Sequence, residues 1–129
     1  NRTRKLIKIL RNGGAVAQVA DRDVTGRGIP VDFFGSETSL PVCPVALADV
    51  TGADLLPVGV YFKRGAGHLI EVHDPVDLPA APDRDTRIAL GTQEFAHVLE
   101  SIIRKAPSQW HLFQPNWESD QQFVPRGDE

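Results

Sequence analysis

The sequence predicts an α/β fold in which a mixed sheet is flanked by helices. Short β-prone runs alternate along the chain with segments of helical periodicity, and clusters of Gly, Pro and Asp separate them. A length of 129 residues with 41% hydrophobic side chains suits one compact core rather than two. No apolar run reaches the roughly 18 to 20 residues that a membrane-spanning helix requires.

The first predicted element is an amphipathic helix over residues 3–12, which Gly13 and Gly14 end. Its apolar side chains recur at helical spacing among basic ones and are Leu6, Ile7, Ile9 and Leu10. Residues 15–20 are mostly apolar without alternation, which predicts a strand covered on both faces. A flexible turn at 25–28 leads to a second strand over 29–34, where Pro30 indicates an edge or entry position.

The second half of the chain predicts a short helix, a pair of strands and a long helix. Residues 45–50 favour a helix that stops at Gly52. Residues 55–62 and 68–73 are β-prone and flank a hairpin-like turn. After a Pro-rich connection, an apolar stripe at steps of three and four residues predicts a helix over 84–105. We expect residues 118–129 to form an irregular tail.

Charge and cysteine content narrow the possible partners. The formal net charge of -3 disfavours a nucleic-acid binder. Residues 1–11 nevertheless contain five basic side chains and no acid, which form either a solvated helix face or a face that contacts anionic lipid headgroups. Cys43 is the only cysteine, so no intrachain disulfide forms. The four His residues are dispersed and have no metal-ligand spacing, so we predict no metal site.

Two sequence blocks carry a family resemblance. The first reads AVAQVADRDVTGRGIPVDFFGSETSLPVCPVAL over residues 15–47, and the second contains QWHLFQPNW over residues 109–117. Together they resemble the bacterial lipid A biosynthesis and phosphatidylinositol mannoside acyltransferases. The resemblance runs from about Lys5 to Trp117 and covers only the C-terminal part of that family. It implies a glycerolipid acyltransferase-like sheet that is incomplete at one edge, with residues 1–117 as part of the acyltransferase domain.

Acyl transfer from a thioester to a hydroxyl requires a general base, a carboxylate that orients it and donors for the oxyanion. In the resembled family a His with an acidic residue five positions later supplies the first two. None of the four His residues has an acid at that position: the residues found there are His73, Leu78, Ile102 and Asn116. Since the chain also contains no Met and begins with Asn1, we expect a piece of a longer protein that is inactive alone.

The first candidate site is Asp21-Arg22-Asp23, directly after the predicted strand over 15–20. Ligands of open α/β sheets bind where strands end. An Arg between two carboxylates suits a phosphate group of the substrate, or it orients the catalytic pair. The alternative is an internal ion pair that stiffens the turn, and the residues do not decide between the two.

The second candidate site is Asp32-Phe33-Phe34-Gly35, which matches an acidic position of the resembled family. The resemblance implies that Asp32 supports the missing base or contacts the acceptor, and that the Phe pair and Gly35 bind substrate along an acyl tunnel. Phe pairs are also common in protein cores, so a structural role stays open for them. The chain departs from the family pattern at Ser36, after that glycine, and at Cys43, between two prolines.

The resemblance therefore implies part of a membrane-associated acyltransferase that acylates a glycolipid hydroxyl of phosphatidylinositol mannoside or lipid A type. It implies acyl-CoA or an acyl-carrier-protein thioester as the donor substrate, and we expect no bound cofactor. The expected partners are the glycolipid, an anionic membrane surface and the missing N-terminal segment, with a peripheral location on the cytoplasmic face of the plasma membrane. The alternative is a non-catalytic lipid- or partner-binding module on the same scaffold.

Overall fold

A computed structural model describes residues 1–121 of the chain. Its elements, in order, are α1 (Arg2–Arg11), β1 (Ile29–Phe33), β2 (Ser36–Leu40), α2 (Cys43–Thr51), β3 (Val58–Phe62), β4 (His68–Val72), α3 (Arg84–Lys105), a 3-10 turn (Pro107–Gln109) and α4 (Glu118–Gln121). Helices and strands thus share this chain, as the sequence predicted. The bounds of α1, α3 and the second pair of strands lie close to those expected from periodicity.

The strands form two separate antiparallel hairpins rather than one sheet. In the first, Ile29 of β1 lies opposite Leu40 of β2, and Phe33 lies opposite Ser36. In the second, β3 pairs with β4 across the turn at residues 63–67. The strand β2 was not expected from the sequence, because SETSL is polar and resembles a loop. It is a strand because it pairs with β1.

The predicted mixed sheet is not formed within residues 1–121, and this expectation is corrected. The segment 15–20, predicted as a buried strand, has no regular secondary structure and pairs with none of the described strands. A strand requires a neighbour that supplies backbone hydrogen bonds, but β1 pairs only with β2 and β3 only with β4 among the described residues. Each of these four strands consequently has one edge without a strand neighbour among the described residues.

The hydrophobic core lies between α3, the first hairpin and α2. Phe33 is completely buried, as are Leu40 and Val45, and the buried stripe of α3 packs against them. Burial of one such large apolar side chain stabilises the fold by roughly 1.5 to 3 kcal/mol. Asp49 of α2 also pairs with two arginines near the start of α3. These contacts make α3 the support on which the first hairpin rests.

The end of the described chain differs from the expected irregular tail. Glu118–Gln121 forms the short helix α4, and the carboxylate of Asp120 accepts the backbone N–H groups of Asn116 and Trp117 at 3.0 and 3.1 Å. This local hydrogen bonding is why a segment without apolar periodicity still forms a helical turn. Residues 122–129, the rest of the expected tail, lie outside the described residues. The division into residues 1–117 and 118–129 stays a prediction.

Candidate functional site

Asp23 organises the loop that connects the segment 15–20 to β1. Its Oδ1 accepts the backbone N–H of Thr25 at 2.9 Å, the Thr25 hydroxyl at 2.8 Å and the N–H of Gly26 at 3.2 Å. Its Oδ2 accepts the N–H of Gly28 at 2.6 Å and the hydroxyl of Ser39 on β2 at 2.9 Å. Five donors therefore saturate this carboxylate. Its role in the structure is to fix the loop to the first hairpin.

The hydrogen bonds of Asp23 also set its protonation. Partial burial raises the pKa of the carboxyl, but the donated hydrogen bonds from Thr25, Gly28 and Ser39 outweigh that effect and lower the pKa to about 2. Hydrogen bonds to the charged form favour that form. Asp23 is consequently a carboxylate at every physiological pH.

Asp21 and Arg22 behave differently from Asp23. The carboxylate of Asp21 accepts the indole N–H of Trp110 at 2.9 Å, which ties the loop to the end of the described chain. The half-buried Arg22 forms no ion pair with a carboxylate within residues 1–121. The internal ion pair considered as an alternative is therefore not formed among the described residues. The guanidinium of Arg22 retains donors for an anion.

Four aromatic side chains form a cluster that joins the two candidate segments. Phe33 stacks on Trp117 with ring centroids 5.9 Å apart and meets Trp110 edge-on at 6.0 Å. Phe34 lies 4.7 Å from Phe33 and 6.3 Å from Trp110. The indole N–H of Trp117 donates to the carbonyl of Phe33 at 3.1 Å. Because Trp110 also holds Asp21, the Asp21-Arg22-Asp23 loop and the Phe33-Phe34 pair share one aromatic support.

Phe34 adopts a backbone conformation that large residues rarely adopt. Its φ is 53° and that of Gly35 is 78°, so both turn residues of the first hairpin are left-handed. The N–H of Phe34 donates to Oε1 of the buried Glu100 at 2.8 Å, and the guanidinium of Arg104 lies 5.1 Å above the Phe34 ring. Arg104 also pairs with Glu100 at 3.4 Å. Contacts from α3 therefore hold the hairpin turn in its strained geometry.

Asp32 is exposed on β1, and its position is fixed through the backbone. Gln93 of α3 accepts the Asp32 N–H and donates to the Asp32 carbonyl, both at 2.8 Å. The Asp32 carboxylate accepts the N–H of Gly35 at 3.1 Å. The other carboxylate oxygen has no hydrogen-bond partner among residues 1–121. The supporting role of Asp32 stays a prediction.

An apolar groove of about 820 Å³ lies beside these residues. Residues 14–21 and 53–60 line it, together with side chains of α2 and α3 such as Leu47, Phe95 and Leu99. Asp21 and Trp110 also line it, whereas Phe33 and Phe34 do not. Phe33 is buried in the aromatic cluster instead. The predicted contact of the Phe pair with an acyl chain therefore stays a prediction, without support from the lining of this groove.

The described part of the chain offers few other groups that could bind a metal or take part in catalysis. No group of three or more His, Cys, Asp or Glu side chains within residues 1–121 is placed to hold a metal ion. His97 lies 3.9 Å from Glu94 on the exposed side of α3, and His73 lies 3.3 Å from Glu71. Between residues 1 and 121 no helix combines the length and the apolar character needed to cross a membrane.

Sequence reasoning missed the residues of α3 that hold the candidate site. Gln93, Glu100 and Arg104 all contact the hairpin that contains Asp32. Their spacing of seven and four residues places them near one helix face, which was the available signal. Glu100 in particular follows directly after the buried Leu99. A buried acid within an apolar stripe usually has a specific hydrogen-bond partner.

The chain is similar to known proteins over most of its length. A family model described as bacterial lipid A biosynthesis acyltransferase matches residues 1–119. A phosphatidylinositol mannoside acyltransferase of Mycobacterium tuberculosis (strain CDC 1551 / Oshkosh) is 38% identical over 115 residues, which are 89% of this chain and 34% of that protein. One from Mycolicibacterium smegmatis is 34% identical over 89% of this chain and 36% of its own length. The chain thus spans about a third of the relatives it matches.

Proposed function

Because the chain belongs to the bacterial lipid A biosynthesis acyltransferase family, we propose that it is part of an enzyme that acylates a glycolipid hydroxyl. The donor is a thioester, either acyl-CoA or an acyl-carrier protein. The observation that carries the choice of acceptor is the similarity to phosphatidylinositol mannoside acyltransferases, which are 34 to 39% identical over most of this chain. A glycolipid of that type is therefore the proposed acceptor.

The apolar groove supports this proposal, because a fatty acyl chain makes no hydrogen bonds and therefore binds best against an apolar lining. Most of its lining residues are aliphatic or aromatic, and the polar ones are Gln18, Asp21 and Asp54, of which Asp21 accepts the indole N–H of Trp110. Arg22 follows Asp21 and has no ion pair in residues 1–121, so it suits a phosphate group of the acceptor or of the donor. Asp23 fixes the loop on which Arg22 lies.

The general base is proposed to lie in polypeptide outside these 129 residues. No His of the chain is followed by an acid at the fifth position, and the relatives are about three times as long as the part that this chain matches. Asp32 would then support that base from the first hairpin. We further propose a peripheral location on the cytoplasmic face of the plasma membrane, where a soluble thioester donor meets a lipid acceptor.

The test compares the rate of acyl transfer to phosphatidylinositol mannoside between the intact protein and its Asp32→Asn variant. An asparagine oxygen still accepts the Gly35 N–H, so the turn is preserved while the charge is lost. We expect kcat to fall roughly tenfold to a hundredfold with little change in KM, since support of a base acts on the transition state. The 129-residue chain alone should show no transfer.

Glu37→Gln is the matched control, because Glu37 lies directly opposite Asp32 on β2 and is also exposed. It should retain activity. Transfer by the 129-residue chain, or an unchanged kcat in Asp32→Asn, would contradict the proposed roles. Lipid binding by the intact protein without any acyl transfer would favour the alternative, a non-catalytic lipid-binding module.

A further inference from the structure

The helix α1 presents a cationic face that the proposed chemistry does not use. Arg4, Lys5, Lys8 and Arg11 follow one another at steps of one, three and three residues, which places them on one face of the helix. Leu6 and Leu10 lie on the opposite face, where α1 packs against α2. All four basic side chains are exposed. We refer to these four residues as the α1 cation stripe.

The charges of the α1 cation stripe are not compensated by any acidic side chain among residues 1–121. None of its residues forms an ion pair with a carboxylate within residues 1–121. Like charges at helical spacing destabilise a helix by roughly 0.2 to 0.5 kcal/mol per pair. An external anionic surface would relieve this repulsion.

The uneven distribution of charge along the chain would orient the protein on an anionic surface. The net charge is -3, yet all 17 acidic residues follow residue 20 while five of the 14 basic residues lie in residues 1–11. A uniformly negative surface would therefore attract the α1 side of the molecule and repel the rest. Ile9 and Val50 are exposed beside the stripe at 43% and 40%, and Arg11 donates to the Val50 carbonyl at 3.5 Å.

We infer that the α1 cation stripe docks the protein onto an anionic lipid bilayer. The cations without ion-pair partners suit anionic lipid headgroups, and the exposed aliphatic side chains beside them suit the outer part of the acyl-chain layer. An acidic protein partner would require only the basic side chains and not the exposed aliphatic ones. This inference rests on the proposed peripheral membrane location, and its failure is distinguishable from failure of the proposed acyl transfer because vesicle binding is measured without any substrate turnover.

The test is sedimentation of the protein with vesicles of equal parts phosphatidylcholine and phosphatidylglycerol. The triple variant Arg4→Gln, Lys5→Gln, Lys8→Gln should bind about a hundredfold more weakly, since each basic residue near such a surface contributes roughly a fivefold change in affinity. Binding of the unaltered protein should fall when salt shortens the Debye length from about 10 Å to about 3 Å. Circular dichroism of each variant verifies that it is folded.

The matched control removes three exposed cations elsewhere, in Arg27→Gln, Lys63→Gln, Arg64→Gln, and has the same net charge as the α1 variant. It should bind nearly as well as the unaltered protein. Equal losses in both variants would overturn the inference, as would salt-insensitive binding or binding to an acidic carrier protein without binding to vesicles. A fluorophore on Lys8→Cys in a Cys43→Ser background should shift to the blue on vesicles, and no shift would also contradict it.

Discussion

At the scale of single residues, one carboxylate determines how the loop before the first hairpin is held. Asp23 collects donors from its own loop and from Ser39 on β2, so it joins two segments that are 16 residues apart. Asp21, two residues earlier, instead accepts the indole N–H of Trp110, which follows the 3-10 turn after α3. Two acids that look alike in the sequence therefore have distinct structural tasks, and the residue between them remains without an ion pair in the described part.

The lowered pKa of Asp23 predicts a specific pH dependence of stability. The carboxyl has a pKa of about 2 in the folded chain and about 3.8 in the unfolded chain, so its stabilisation is present above pH 4 and is lost as the pH falls towards 2. One unit of pKa corresponds to about 1.4 kcal/mol, and screening at this partly exposed site leaves about 1 to 2 kcal/mol. Asp23→Asn should lose that amount at pH 7, measured by urea unfolding.

The difference between the unaltered protein and Asp23→Asn should shrink as the pH approaches 2. Asp54→Asn serves as the control, because Asp54 is exposed and no described hydrogen bond reaches its carboxylate. A deficit of equal size at every pH would show that Asp23 acts through shape rather than through its charge.

At the scale of elements, α3 organises the first hairpin. Gln93 binds the backbone of Asp32, and Glu100 binds the N–H of Phe34. The long periodic stripe of α3 made its existence predictable from the sequence, because helical hydrogen bonds are local. The contacts from its polar side chains to β1 were not predictable, since they join residues more than 60 positions apart.

Replacement of Glu100 should separate hydrogen bonding from charge. Glu100→Leu leaves the partly buried N–H of Phe34 without an acceptor, so we expect a loss of about 1 to 3 kcal/mol and faster amide exchange at Phe34. Glu100→Gln retains an acceptor oxygen and should lose less stability. Urea unfolding and amide hydrogen exchange measure the two effects, and equal losses in both variants would argue that the ion pair with Arg104 dominates.

At the scale of the whole molecule, the described chain leaves apolar surface uncovered. Val58, Val60 and Phe62 of β3 point to one face of the second hairpin together with Ile70 and Val72 of β4, and all five are exposed. The apolar groove and the open strand edges add to this surface. Exposed apolar faces and unpaired edges promote association.

The 129-residue chain should therefore self-associate as its concentration increases. The double variant Val60→Lys, Ile70→Glu places opposite charges on a directly paired position and should reduce association while the fold is retained. Analytical ultracentrifugation measures the change. Phe113→Lys is the control, because Phe113 is exposed outside both hairpins. A chain that stays monomeric at all concentrations would contradict this expectation.

The sequence by itself determined the helices α1 and α3, the turn between β3 and β4 and the family, because periodicity and motif blocks are encoded in neighbouring residues. The family assignment agrees with the matching family model over residues 1–119. Only the tertiary structure decided that β2 is a strand, that residues 15–20 have no strand partner among residues 1–121, and that Trp110 and Glu100 hold the candidate segments. The physical reason is that a strand or a side-chain contact depends on partners that are distant in the sequence, whereas a helix satisfies its own backbone.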